Sequence, residues 1–202
     1  PRFAGMHPFD PVPFQWSLHI LEAPGAKPVH SEFLDCGPDD PRERFVRSLL
    51  DAAEGYEGSV VVYNRDFESD RLKELGAAFP ELRGRIEHLR GRLWDLCAVV
   101  QNNVYHPQMR GSFSIKNVLP ALAPDMSYEG LTVSNGVTAG AVCHLLVEDA
   151  VEDVERERME SALREYCRLD TLAMHLLVAS LQAQLVAGRV RVNKEDTSRG
   201  SS

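Results

Sequence analysis

The stretch from about Arg158 to Gln184 constrains this chain most, because it is a long run of helical periodicity with a carboxylate on its apolar side. Met159, Leu163, Tyr166, Asp170, Ala173, Leu177 and Leu181 follow three- and four-residue steps and form one stripe along a helix face. Asp170 stands inside that stripe. A carboxylate there loses hydration and must be compensated by hydrogen bonds, a cation or a metal, or else take up a proton. Tyr166, one turn earlier, projects beside it. Two readings of the pair are open: a core helix whose one polar member is satisfied by Tyr166 or a neighbouring backbone amide, and a site completed by a second carboxylate from elsewhere.

The pattern of the remaining chain shows which elements could deliver that carboxylate. Phe14 to Glu22 alternates as a strand, Ala23-Pro24-Gly25-Ala26 reads as a turn, and Val29 to Asp35 is its antiparallel partner. Asp39 and Asp40 cap a helix from Pro41 to Glu54, which Gly55 and Gly58 close. Ser59-Val60-Val61-Val62-Tyr63 is the continuous β-branched run of a strand buried on both faces. Helices are expected over Phe67 to Phe79, with Phe67, Leu72 and Leu75 among the apolar positions, and over Glu81 to Arg90, with Leu82, Ile86 and Leu89 inward. Leu93 to Leu96 is expected as a short strand leading into a helix to about Asn103, and Tyr105 to Ser114 as a loop. Ile115 to Leu122 and Val137 to Leu146 read as shorter helices, the second packed closely through its small residues. Gly188 is expected to end the long helix, giving one domain over 1–187 and a polar, disordered tail over 188–202.

Composition narrows the function classes. With 44% hydrophobic and 26% charged residues the chain is an ordinary globular one, and no apolar run approaches the roughly 18 residues of a membrane span. Pro1 to Pro13 lacks the apolar core of a signal peptide, so a cytoplasmic location without membrane contact is expected. Cys36, Cys97, Cys143 and Cys167 are widely separated and form no C-x-x-C pair, which argues against a zinc site or a disulfide framework. A net charge of −8 repels nucleic acid at long range, so any such binding must come from a local basic patch. Arg83, Arg85, Arg90 and Arg92 form the densest basic stretch, with a solvated helix face as the competing explanation. A chain beginning at Pro1 without an initiator Met is expected to be a piece of something longer.

The second carboxylate lies in Asn64-Arg65-Asp66-Phe67-Glu68, where a buried strand hands over to a helix and α/β sheets often bind ligands. Glu68 falls in the first helical turn, where macrodipole complementarity of about 0.3–1 kcal/mol is the plainer explanation. Asp66 and Asp70 are local competitors. Together, Asn64-Arg65-Asp66-Phe67-Glu68 and Tyr166-Cys167-Arg168-Leu169-Asp170 resemble the second motif and the tyrosine-type last motif of the DnaQ-like, or DEDD, 3′-to-5′ exonucleases of the ribonuclease H-like superfamily, with Glu for the usual Asp in the former. Leu93-Trp94-Asp95-Leu96 is similar to the strand that follows in such folds, and the stretch from Gly111 to Leu119 to their "small-x-x-leucine-lysine-x-leucine" segment. The chain is also similar to an uncharacterised bacterial domain of that superfamily with the same Phe-Gln-Trp-Ser-Leu-His strand and Tyr-His-Pro loop.

The resemblance implies an α/β, three-layer fold with a mixed sheet flanked by helices, and two Mg²⁺ or Mn²⁺ ions acting on a phosphodiester of DNA or RNA. By the same resemblance Glu68 and Asp170 are metal ligands, Tyr166 orients the attacking water, and Asn64 fixes the strand end. His106, Arg110 and Lys116 are candidates for phosphate contact, against simple solvation. The family's opening Asp-x-Glu strand has no counterpart in residues 1–13, where Asp10 is the only acid. The expectation is therefore that the central strand lies upstream of Pro1 and that this chain holds half a metal site. The edges left beside the missing strand would then invite self-association. Two rivals stay open: a binding or assembly module that keeps the fold without turnover, and an unrelated small-molecule enzyme, for which no glycine-rich phosphate loop or nucleophile motif speaks.

Overall fold

A computed structural model describes residues 3–8, 10–23, 25–148 and 151–196, the last eight of these by backbone alone. Its elements run β1 (Gln15–Ile20), β2 (Val29–Leu34), α1 (Arg42–Ala52), β3 (Val60–Val62), α2 (Arg65–Ala78), α3 (Arg83–Gly91), β4 (Leu93–Asp95), α4 (Leu96–Asn103), α5 (Ile115–Leu122), α6 (Gly136–Val147) and α7 (Asp153–Asp196), with short 3-10 turns at Pro80–Leu82 and Pro107–Met109. The architecture is mixed α/β, with two two-stranded sheets and seven helices among the described residues. β1 and β2 pair antiparallel, with Trp16 opposite Phe33 and His19 opposite His30. β3 and β4 pair parallel, with Val61 opposite Trp94.

Although no backbone ladder joins the two sheets among the described residues, the same helices flank both. On one face a single apolar cluster unites Trp16 of β1, Val62 of β3 and Leu93 of β4 with Phe45 and Val46 of α1, Leu75 of α2 and Ile86 of α3. On the other face Val61 and Tyr63 pack with Leu96, Val100, Val118, Leu119, Ala173 and Leu177, which belong to α4, α5 and α7. β1 meets that same α7 through polar side chains: Gln15 Nε2 donates to the Leu163 carbonyl at 2.7 Å, and Ser17 Oγ and His19 Nδ1 each lie 2.8 Å from Thr171 Oγ1. This pattern follows from the period-two alternation of β1, which sends Trp16 to the apolar face and Ser17 to the α7 face.

Several expectations need correction. α7 begins at Asp153 and its backbone passes through Gly188 to Asp196, because a glycine inside a well-formed helix costs only about 1 kcal/mol and does not end it. Residues 197–202 of the expected tail lie outside the described residues, as does Pro24 of the expected turn. Leu72 and Leu75 of α2 are buried, whereas Phe67 in its first turn is 58% exposed, with the Arg71 guanidinium 5.7 Å from its ring. α6 buries Ala139, Cys143 and Leu146 yet exposes Val137 and Leu145, so it is a satellite helix and is not packed all round. A stretch within Asp153–Gly188 is apolar enough to cross a membrane by length and composition, contrary to the reading from composition, although Ala173 and Leu177 within it are fully buried core residues.

The cysteine expectation is overturned most clearly. Cys36, just after β2, and Cys143 in α6 form a disulfide with 5.3 Å between their Cα atoms, while Cys97 and Cys167 are free. Sequence spacing did not show it because the bond spans 107 residues and depends on tertiary packing.

Candidate functional site

Asp170 is reached by two phenols. Tyr128, from the connection between α5 and α6, donates from its hydroxyl to Asp170 Oδ1 at 2.7 Å. Tyr166, one helical turn before Asp170, bears on the same carboxylate. Burial raises the Asp170 pKa, and the two phenols and the nearby Lys116 ammonium oppose that shift. Burial, and then the Asp170 charge, push both phenols far above the usual tyrosine range, so they remain donors at neutral pH. Lys116 Nζ donates to the Ser134 carbonyl and lies 5.8 Å from the Tyr128 ring centre. Burial pushes Cys167, beside Asp170 and Glu32, to about 12, which makes it an inert thiol.

Glu68 stands in the first turn of α2 with its Oε2 buried and without a hydrogen-bond partner among the described residues. Burial, reinforced by the Asp95 carboxylate, pushes its pKa up to about 7. Asp95 is the residue that sequence reasoning missed. It ends β4 and caps two helices, accepting from the Ala98 amide at 3.1 Å and from the Arg65 amide at 3.1 Å, which tie α4 and the start of α2 to one carboxylate. The signal was present: an aspartate directly before the periodic run of α4 is an N-cap pattern. Asn64 takes a left-handed conformation, φ 97°, at the head of α2, and its carbonyl accepts from Phe67, so it shapes the strand-to-helix turn as expected.

Glu68 and Asp170 belong to different immediate neighbourhoods. Asp95 acts on Glu68 and on Tyr63, and Tyr63 and Asp170 both act on Tyr128. The Tyr63 hydroxyl itself donates to the Phe113 carbonyl at 2.6 Å. Tyr128 lies in an irregular, non-periodic segment, so nothing in the sequence pattern could have nominated it.

The other candidates scatter. His106 Nδ1 caps the Pro107–Met109 turn, accepting from the Gln108 amide at 3.4 Å, and Arg110 leaves that turn with φ 52°. Of the three phosphate candidates, Lys116 alone is near enough for its ammonium to act on the Asp170 charge, and it does so without a direct ion pair among the described residues. The expected arginine rim is drawn into the fold: Arg85 pairs with Asp51 at 2.8 Å, Arg90 with Glu87 at 2.7 Å, and Arg83 and Arg92 donate to the carbonyls of Gly76 and Gly58. That favours the solvated-face explanation. Beside β1, Ser17, His19, His30 and Thr171 form a hydrogen-bonded group against α7, in which burial lowers His19 to about 4 and keeps it neutral.

A metal requires converging ligands. No group of three or more His, Cys, Asp or Glu placed to hold an ion occurs among the described residues. The orphaned Oε2 of Glu68 suits a cation as its missing partner, and the buried Asp170 carboxylate suits one as an anionic ligand. Each suits a divalent ion as a single anionic ligand, and neither neighbourhood holds a full shell among the described residues.

Known proteins give the family and leave the activity open. The chain is 27% identical over 156 residues to an uncharacterised protein of Ureaplasma parvum, a match covering 67% of this chain and 23% of that protein. It is 28% identical over 128 residues to an uncharacterised protein of Mycoplasma pneumoniae, covering 57% and 19% respectively. A Mycoplasma genitalium relative, also uncharacterised, is 26% identical over 136 residues, with 61% and 20% coverage. The chain thus spans about a quarter or less of the length of these relatives. No solved structure matches it. The domain of unknown function DUF2779 matches residues 1–114, more than half of the 202, and the chain belongs to that family.

Proposed function

We propose that this chain is part of a ribonuclease H-like domain of the DnaQ-like type, which hydrolyses phosphodiester bonds of DNA or RNA as a 3′-to-5′ exonuclease. The observation that supports the reading is the buried Glu68 carboxylate just beyond the end of β3, one oxygen of which has no partner among the described residues, at the kind of strand end where α/β sheets bind ligands. The separation of the two small sheets is compatible with it, since one further strand between β1 and β3 would join them under helices that already flank both. Such a strand could bring the acids that Glu68 and Asp170 lack for a full shell.

Within this reading Glu68 and Asp170 hold Mg²⁺ or Mn²⁺, and the bound ion supplies charge neutralisation at the phosphate and a more acidic water. Tyr128 keeps Asp170 oriented by donating to it, Tyr166 bears on the same carboxylate, and the Lys116 ammonium adds positive charge on that side. A cytoplasmic location is part of the proposal.

A second reading, a binding or assembly module without turnover, is favoured by the satisfaction of Asp170 by the Tyr128 phenol and by the absence of a third converging ligand among the described residues. Incubation of labelled single-stranded DNA and RNA with Mg²⁺ and the full natural polypeptide containing this chain separates the two. The nuclease reading expects shortening from the 3′ end that Asp170→Ala and Glu68→Ala each abolish; binding without shortening supports the module.

A further inference from the structure

We propose that the Cys36–Cys143 disulfide is a redox latch that holds the Tyr128 segment over Asp170. α6, which carries Cys143, reaches the rest of the molecule through a small cluster, with Cys143, Ala139 and Leu146 against Leu163 of α7. The segment entering α6 runs over 123–135, irregular and largely exposed, and it is fixed at three places: Tyr128 on Asp170, Val133 buried in that same cluster, and the Ser134 carbonyl on Lys116. Asn135 then caps α6 by accepting from the Thr138 amide at 2.9 Å. The disulfide is therefore the covalent link between the C-terminal half of α6 and the connection from β2 to α1.

Closing a loop of 107 residues removes much chain freedom, and a satellite helix held by few buried side chains loses most from its release. Reduction is a two-electron step: a dithiol gives up two electrons and two protons, the Cys36–Cys143 sulfur–sulfur bond breaks to two thiols, and the reductant leaves as its own disulfide. In a compartment kept reducing such bonds are transient and often sensory. The oxidised form keeps the Tyr128 hydroxyl on Asp170 Oδ1; the reduced form frees that oxygen. The inference goes beyond the nuclease reading and does not need it, because its readout is mobility.

The test uses the chain purified without reductant, then treated with oxidised glutathione or with dithiothreitol. Alkylation under denaturing conditions followed by mass measurement should label two cysteines, Cys97 and Cys167, in the oxidised sample and all four in the reduced one. Amide exchange across 124–147 should then accelerate about tenfold or more on reduction, while α1 to α3 stay unchanged. Cys36→Ser should show fast exchange without reductant; should that variant fail to fold, the reduced wild-type chain carries the comparison. Four labelled cysteines after oxidation, or exchange over 124–147 that ignores reduction, would overturn the latch.

Discussion

Glu68 and Asp170 are both withdrawn from water, and the protein treats them differently. Asp170 has two phenols acting on it, whereas one oxygen of Glu68 receives nothing among the described residues. Because burial lifts Glu68 from 4.5 to about 7, the folded chain keeps a proton that the unfolded chain releases first. The stability it contributes is thus full below the unfolded value of 4.5 and is lost as pH rises through about 7. Glu68→Gln, which fixes the neutral form, should raise the urea midpoint above that of wild type near pH 8. It should change the midpoint little near pH 4; equal midpoints at both pH values would mean that Glu68 is ionised and solvated. Tyr128→Phe should cost about 1–3 kcal/mol in the same assay, since a buried carboxylate loses a donor. Asp170 and Tyr166 were legible because helical spacing alone puts a carboxylate and a phenol on an apolar stripe. Tyr128 was not, because its role arises from a tertiary approach by a segment without periodicity.

At the scale of elements, local pattern specified most of what formed. The β1–β2 hairpin, α1, β3 and α5 lie where alternation, capping and β-branching put them, since each signal is contained within its own segment. One departure is that Gly188 sits inside a helix that was expected to stop there. Along α7 the energetic contrast should be plain. Leu177 is fully buried while Leu185 is 66% exposed, so Leu177→Ala should cost about 2–5 kcal/mol and Leu185→Ala less than about 0.5 kcal/mol by chemical denaturation. Similar losses for both would show that the C-terminal half of α7 is covered by something further. The second edges of β1 and β3, unpaired among the described residues, carry a prediction too. Sedimentation of the isolated chain should show concentration-dependent association, and a strictly monomeric chain would argue that those edges are protected.

For the molecule as a whole, two small sheets lie under shared helices, and two buried carboxylates stand in separate neighbourhoods. The apolar faces of β1, β3 and the helices were legible from sequence because they are local patterns; the disulfide was not, since pairing over 107 residues leaves no local trace. The claim that Glu68 and Asp170 belong to one cation site is open to direct thermodynamic test by calorimetric titration of Mn²⁺ into the full natural polypeptide and its Glu68→Gln, Asp170→Asn and doubly substituted forms. Shared ligation requires each single substitution to weaken Mn²⁺ by about tenfold or more and the double to be far from additive. Additive effects, or Mn²⁺ binding that ignores both residues, would contradict it.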